Sequence, residues 1–420
     1  MAVAVVTFLA ALAVISTERV HRTKVALIGA AIVVLFVAGF DQDEAIEAVD
    51  FNTIGLLAGM MILVHVTQQT GVYDYIAIRA SQLSRGNPLL VVLSLAGTTA
   101  LLSAFLDNLT TILLVVPITF LLADTLDVDP IPLIVIEVIA SNIGGTATLI
   151  GDPPNIIIAG ATGLSFNAFI VNLAPIAVGA FAVITALLYL YYRERLRIAP
   201  ENRRYVMDLD ARASISDAAE LRRTGPVLVL TIVAFFAHQA LGIEPATVAL
   251  TGAAVALLVT RQTVEDSLAR IEWPTLFFFV GLFVMVGALE ETGALERVTE
   301  AFNDVTSGER SAELLGLVWV AGIGSAVVDN IPFTTAMLPV VEELNAGGED
   351  DAYWWALSLG ACFGGNATII AAAANVAAAG LTERAGRPIG FMPFLRVGVP
   401  VTILSLLLAS VYVAIRYIAF

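Results

Sequence analysis

The chain has 420 residues, of which 58% are hydrophobic and only 14% charged, at a mean hydropathy of +0.89. That is more apolar surface than a soluble globule of this size can bury, so the composition excludes a soluble enzyme and describes an all-α polytopic membrane protein. Its 21 Lys and Arg against 37 Asp and Glu give a net charge of -16, which argues against nucleic acid as a partner.

The first segment, Ala2 to Ile15, is short and lacks a basic leader region, so it reads as a span and not as a cleaved signal peptide. Ala26 to Phe40 and Ile54 to Val66 follow as spans that need some flanking residues to cross roughly 30 Å of hydrocarbon. The apolar stretch 88–126 is interrupted by Asp107-Asn108, in SAFLDNLTTILLVVPIT. An ionised Asp at bilayer depth costs roughly 2.5 to 3.5 kcal/mol on insertion scales, so it normally faces a partner, an ion or a watery cavity. Next comes 131–163, holding SNIGGTATLIGDPPN from Ser141 to Asn155, whose glycines and Pro153-Pro154 predict a broken helix. The span Ala174 to Tyr192 closes this half, and a charged linker runs over 193–224. Pro226 to Ala237 is the next span. Asp329-Asn330 then interrupts 312–344, in SAVVDNIPFTTAMLPVV, and CFGGNATIIAAAANV, Cys362 to Val376, predicts a second broken helix within 353–382. Val399 to Tyr417 is the final span. The acidic runs Asp41-Gln42-Asp43-Glu44 and Glu349-Asp350-Asp351 read as solvated loops, a composition that a salt-loving host also favours.

An internal repeat organises these elements. Asp50-Phe51-Asn52-Thr53-Ile54, Gly59, Gln68-Gln69-Thr70-Gly71 and Asp107 recur at an offset of 222 as Glu272-Trp273-Pro274-Thr275-Leu276, Gly281, Glu290-Glu291-Thr292-Gly293 and Asp329. Gly144-Gly145-Thr146-Ala147-Thr148 recurs at an offset of 220 as Gly364-Gly365-Asn366-Ala367-Thr368. Repeat one is therefore 1–192 and repeat two 225–420. Arg19, Arg22 and Lys24, Arg79 and Arg85, the arginines of 193–223, Arg261 and Arg270, and Arg384 and Arg387 share the cytoplasmic side if 88–126 is a re-entrant hairpin from the inner face and 312–344 one from the outer face. That leaves five spans per repeat, an inverted second repeat, a cytoplasmic linker and both termini outside.

Each half then offers a hairpin tip facing a broken helix. In repeat one the set is Asp107, Asn108, Thr110 and Thr111 with Asn142, Gly144, Gly145, Thr146, Asp152 and Asn155. In repeat two it is Asp329, Asn330, Thr334 and Thr335 with Gly364, Gly365, Asn366 and Asn375, without the Asp-Pro-Pro of Asp152 to Pro154. Oxygen-rich surroundings with a carboxylate suit a hard cation such as sodium, placed at Asp107, Asn108, Asp329 and Asn330, and the same carboxylates can carry a proton. Two plainer readings stand beside this one: Asp and Asn also cap helices, and small residues also serve close helix packing. Glu137, four residues before Ser141, is a candidate proton relay whose counterpart in repeat two is Leu357. His65 and His238 read as interfacial. A single cysteine, Cys362, excludes internal disulfides and a multi-thiolate metal site.

The strings SAFLDNLTT and SAVVDNIPFTT, with GGTATLIGDPPN, resemble the ion transporter superfamily, in the branch of citrate-transporter-like and ArsB-like permeases that holds the arsenite permeases, the NhaD sodium/proton antiporters and the P-protein. The resemblance covers essentially the whole chain. It implies an elevator-type transporter in the plasma membrane, with a scaffold domain that holds a homodimer and a moving transport domain. Dicarboxylate carriers of the superfamily carry Ser-Asn-Thr tips, and the Asp-Asn tips here argue against a carboxylate substrate. The expected activity is sodium/proton exchange at Asp107 and Asp329. The alternatives are arsenite or antimonite efflux driven by the proton gradient, with an ATPase partner in that case only, and a sodium-coupled anion or dicarboxylate carrier. No cofactor beyond the coupling ions is expected, and the chain has no Walker motif.

Overall fold

The protein is described from a computed structural model covering residues 1–17, 19–346 and 350–419, so Glu349 of the second acidic run lies outside the described residues. Among these residues the chain forms α-helices and no β-strand. The first half runs α1 (Ala2–Ser16), α2 (Arg22–Phe36), α3 (Gln42–Glu47), α4 (Phe51–Gln68), α5 (Val72–Leu83), α6 (Pro88–Phe105), α7 (Asn108–Leu126), α8 (Pro130–Thr146), α9 (Pro153–Thr162) and α10 (Phe166–Tyr192). A short α11 (Tyr205–Asp208) and a 3-10 turn, Ala211–Ser214, follow. The second half has the same order: α12 (Ala218–Leu241), α13 (Pro245–Val259), α14 (Val264–Ala269), α15 (Trp273–Glu291), α16 (Ala294–Thr306), α17 (Arg310–Val327), α18 (Asn330–Asn345), α19 (Ala352–Gly364), α20 (Ala373–Arg384) and α21 (Phe391–Val413).

Local chemistry sets many of these boundaries. Asp50, Asn87, Asp107, Asp129, Asp217 and Asp329 each stand at an N-cap and accept a backbone N–H from the first turn of the helix that follows. Pro88, Pro130, Pro153 and Pro245 occupy first turns, where a missing N–H costs nothing. His238, read as interfacial, is buried and ties two elements together: Nδ1 bonds the Ile243 carbonyl at 2.9 Å, and Nε2 accepts from the Phe166 amide at 3.1 Å.

The helices pack in two groups. In one, α4 lies against α13 and α2 against α15, with α1 and α12 alongside. In the other, the hairpins α6–α7 and α17–α18 embrace α8 and α19, while α7 packs on α20 and α18 on α9. The exchange between halves is reciprocal in both groups.

Several boundaries differ from the sequence expectation. The second helix ends at Phe36, short of Phe40. The helix expected to start at Pro226 begins eight residues earlier, because Asp217 caps it and Pro226 is accommodated inside, as prolines are in membrane helices. The first break comes later than its glycine pair and the second begins within its own. Helix α8 continues through Gly144 and Gly145 to Thr146, and α19 reaches Gly364, so three of the four glycines are helical and only Gly365 lies past a helix end. Their use is close packing. A Cβ on Gly144 would overlap the Ala100 backbone of α6, and one on Gly364 would overlap the Gly322 backbone of α17. Among the described residues eight helices have the length and apolarity of a membrane span, and α6, α7 and α17, arms of the expected re-entrant hairpins, are among them.

Gly144→Ala should therefore destabilise the detergent-solubilised protein by about 1–3 kcal/mol, since backbone must move to admit the methyl group. Gly179→Ala in α10, where a Cβ meets nothing within 4 Å, should leave the thermal midpoint unchanged or raised. Equal melting shifts for the two variants would contradict this account.

Candidate ion site at the two helix breaks

The breaks at 147–152 and 365–372 free backbone carbonyls deep in the structure, and an asparagine repairs each. Asn155, in the first turn of α9, donates from Nδ2 to the Thr146 and Thr148 carbonyls at 3.1 and 2.8 Å. Asn375, in the first turn of α20, donates from Nδ2 to the Gly365 and Thr368 carbonyls, both at 2.7 Å. Each amide bridges its own gap in the same way.

The hairpins are stapled to these breaks, again in duplicate. Ser103 Oγ donates to the Ser141 carbonyl and Ser325 Oγ to the Ala361 carbonyl, at 2.7 and 2.6 Å. Thr148 and Thr368 donate to the carbonyls of Ala104 and Ala326 in the hairpin arms. The Ser141 hydroxyl lies 3.1 Å from Ser103 Oγ and 3.3 Å from the Asn108 carbonyl.

The two halves meet through side-chain amides. Asn142 Nδ2 donates to Asn366 Oδ1 and Asn375 Oδ1 at 3.1 and 3.0 Å. In the opposite sense Ser358 Oγ donates to Asn155 Oδ1 at 2.6 Å, with Cys362 Sγ at 3.8 Å. Asn142 and Cys362 stand 220 residues apart, the offset of the broken-helix motif, so each donor reaches the clamp asparagine of the other half.

Asp152 is the carboxylate of this cluster and is fully buried. Its Oδ1 accepts from Asn108 Nδ2 at 3.1 Å and from Asn330 Nδ2 at 3.2 Å, so both hairpin tips converge on one oxygen. Asn108 Nδ2 also donates to Asn142 Oδ1 at 3.3 Å. Asp152 Oδ2 and Asn366 Nδ2 are buried with no hydrogen-bond partner, and among the described residues no salt bridge reaches Asp152. The position matching Asp152 in the second half is Ala372, so the cluster has one such carboxylate and not two.

Asp107 and Asp329, expected to hold sodium, stand at the N-caps of α7 and α18. As N-caps their carboxylates turn back onto their own helices. Asp107 Oδ1 accepts the Thr110 amide at 2.8 Å and Oδ2 the Thr110 hydroxyl at 2.6 Å, while Asp329 Oδ1 accepts the Ile331 amide at 3.0 Å. Asp329 Oδ2 pairs with Arg22 Nη1 at 3.0 Å. Neither carboxylate bonds the amide cluster, whereas their neighbours Asn108 and Asn330 do. Thr334 and Thr335 bond carbonyls of their own helix, at Asn330 and Ile331; Thr146 likewise bonds the Asn142 carbonyl, and the Thr111 hydroxyl is buried without a partner. A cavity of about 400 Å³, lined by Ile15, His21, Arg22, Leu109, Asp329 and Ala373 among others, leads from the α1–α2 loop to both tips.

Ser103, Ser141, Ser358 and Cys362 belong to this network although the sequence motifs did not assign them to it. The offset of 220 was the available signal, because it sets Cys362 against Asn142.

The citrate transporter family, CitMHS, matches residues 12–360. The chain is 42% identical over 426 residues to the 46 kDa membrane protein of Mycobacterium leprae, covering 99% of both. It is 44% identical over 422 residues to an uncharacterized transporter of Mycobacterium tuberculosis, covering 99% of this chain and 98% of that one. The P protein of Homo sapiens is 33% identical over 491 residues, which are 97% of this chain and 59% of that protein. Among solved structures, the Alcanivorax borkumensis YdaH transporter shares the fold, with a TM-score of 0.61 at 15% identity over 94% of this chain and 96% of that one. The chain is a multi-pass membrane transporter that belongs to the citrate transporter (CitMHS) family of the ion transporter superfamily.

Proposed function

We propose that this transporter exchanges sodium for protons and that Asp152, with the tip amides Asn108 and Asn330, is where sodium binds. The observation that supports this reading is the unpartnered Asp152 Oδ2, buried where both hairpin tips and both helix breaks converge. A buried carboxylate needs a cation or a proton, and a carboxylate oxygen is a hard ligand of the kind sodium takes. In this reading Asp107 and Asp329 are helix caps that place Asn108 and Asn330.

The second packing group, with its hairpins and broken helices, is the part that moves in elevator fashion, and the group of α1, α2, α4, α12, α13 and α15 is the scaffold and the seat of a homodimer. The linker lies in the cytoplasm and both termini outside, the arrangement that puts the arginine clusters on one side. The family's name points to citrate. A free tricarboxylate, however, would meet the open oxygen of Asp152, and the nearby Arg22 is already tied to Asp329. Arsenite would find one thiol, Cys362, donating to Asn155.

Proteoliposomes with a trapped pH dye should show proton movement on addition of sodium and none on addition of citrate or arsenite. Asp152→Asn should lower that flux at least about tenfold, equivalent to ~1.4 kcal/mol or more of lost interaction with the ion. Absence of sodium-dependent flux from the wild-type protein would sink the exchange reading. Asp107→Asn keeps a capping side chain, so flux within about twofold of wild type and an unchanged melting profile are expected; loss of sodium affinity in that variant would return the ion site to the tip carboxylates.

A further inference from the structure

Glu137 lies in α8, in the same half as Asp152, and is 1% exposed. Its Oε1 is 2.6 Å from the Thr119 hydroxyl of α7, and its Oε2 has no partner. The helices packed on α8 bring it no counter-charge. Helices α6, α10 and α19 contain no Asp, Glu, Lys or Arg, and their titratable groups are tyrosines and Cys362. Helix α7 carries only Asp124, which pairs with Arg387, and α20 only Glu383 and Arg384 in its last turn.

The Thr119 hydroxyl has one hydrogen and two acceptors in reach, Glu137 Oε1 at 2.6 Å and the Val115 carbonyl at 3.2 Å. If Glu137 is ionised, Thr119 donates to it. If Glu137 is protonated, Oε1–H donates to Thr119 Oγ1 and the threonine hydrogen turns to the Val115 carbonyl. Both states keep every hydrogen bonded, so the pair accepts or releases one proton by rotating one hydroxyl.

The repeat supplies an internal control. At the matching positions the second half has Leu357 and Val341, both fully buried. An apolar pair therefore fills this place in the fold, and packing alone does not require a carboxyl there. A polar pair retained in only one half, the half that also carries Asp152, has a use other than structure.

We propose that Glu137, with Thr119 as its switching hydroxyl, is the proton-binding carboxyl of the transport cycle, separate from the sodium-binding Asp152. This rests on the exchange reading above. With sodium on Asp152 and Glu137 ionised, or with Glu137 protonated and Asp152 ionised and empty, the moving group carries the same single buried negative charge, so one cation replaces the other across the cycle.

Two readouts in proteoliposomes test it: proton movement driven by a sodium gradient, and exchange of radiolabelled sodium across a membrane with equal sodium on both sides. Glu137→Gln keeps size and polarity but carries no proton, and Glu137→Leu with Thr119→Val copies the second half. The second variant protects the test if the first fails to fold. In both, sodium-driven proton movement should be lost while sodium-for-sodium exchange stays near wild type. Unchanged proton movement in either folded variant overturns the proposal, as does loss of sodium exchange together with proton movement, which would make Glu137 a sodium ligand. Wild-type protein without any sodium-dependent proton movement overturns the exchange reading itself and this assignment with it.

Discussion

Backbone carbonyls freed at a helix break have no water to turn to inside a membrane protein, and each left unpaired costs several kcal/mol. Asn155 and Asn375 remove that penalty in two copies, each amide crossing its own gap. Once an Nδ2 is committed to this task, the Oδ1 of the same side chain must point away from the gap. It points toward the other half. The junction between halves, from Asn142 to Asn375 and from Ser358 to Asn155, is thus a by-product of satisfying the breaks. The hairpins in turn are held by serine and threonine hydroxyls that bond carbonyls across to the broken helices and back to the hairpin arms.

On that duplicated frame the chemistry is concentrated in three departures from symmetry. Asn142 stands against Cys362, Asp152 against Ala372, and Glu137 against Leu357. Each time the more polar member belongs to the first half. The helix breaks and hairpin staples use shared residues, whereas the junction between halves is made by unshared donors, Asn142 and Ser358, which stand against Cys362 and Val138. The same logic separates the aspartates: Asp107 and Asp329 are shared and cap helices, while Asp152 is unshared and faces the amides of both tips.

Much of this was legible in the sequence. Composition and the repeat were enough for an all-helical membrane transporter with two hairpins and two broken helices, and the residues that meet at the centre were nearly all in the motifs. The weights among them were not legible. Asp-Asn reads identically whether its carboxylate caps a helix or holds an ion, because both uses demand an acceptor at the same place in the chain. Which of two adjacent side chains turns inward depends on where the helix starts, one residue later than the aspartate. The glycine pairs suffered a similar ambiguity. Gly144 and Gly145 look like helix breakers, but the neighbouring helix α6 approaches so closely that glycine is what lets the helix continue. His238 looked interfacial because histidine is amphipathic, and its two backbone partners come from segments far apart in sequence.

The covalent joining of the halves through 193–217 has its own consequence for the charge at the centre. Two identical half-length chains meeting about a twofold axis place carboxyl groups there in pairs, so their shared cavity can hold none or two but never one. A single monovalent cation is matched by an odd count. Fusion into one chain is what lets one copy hold Asp152 while the other holds Ala372, and so gives the centre a parity that no symmetric dimer of halves could reach.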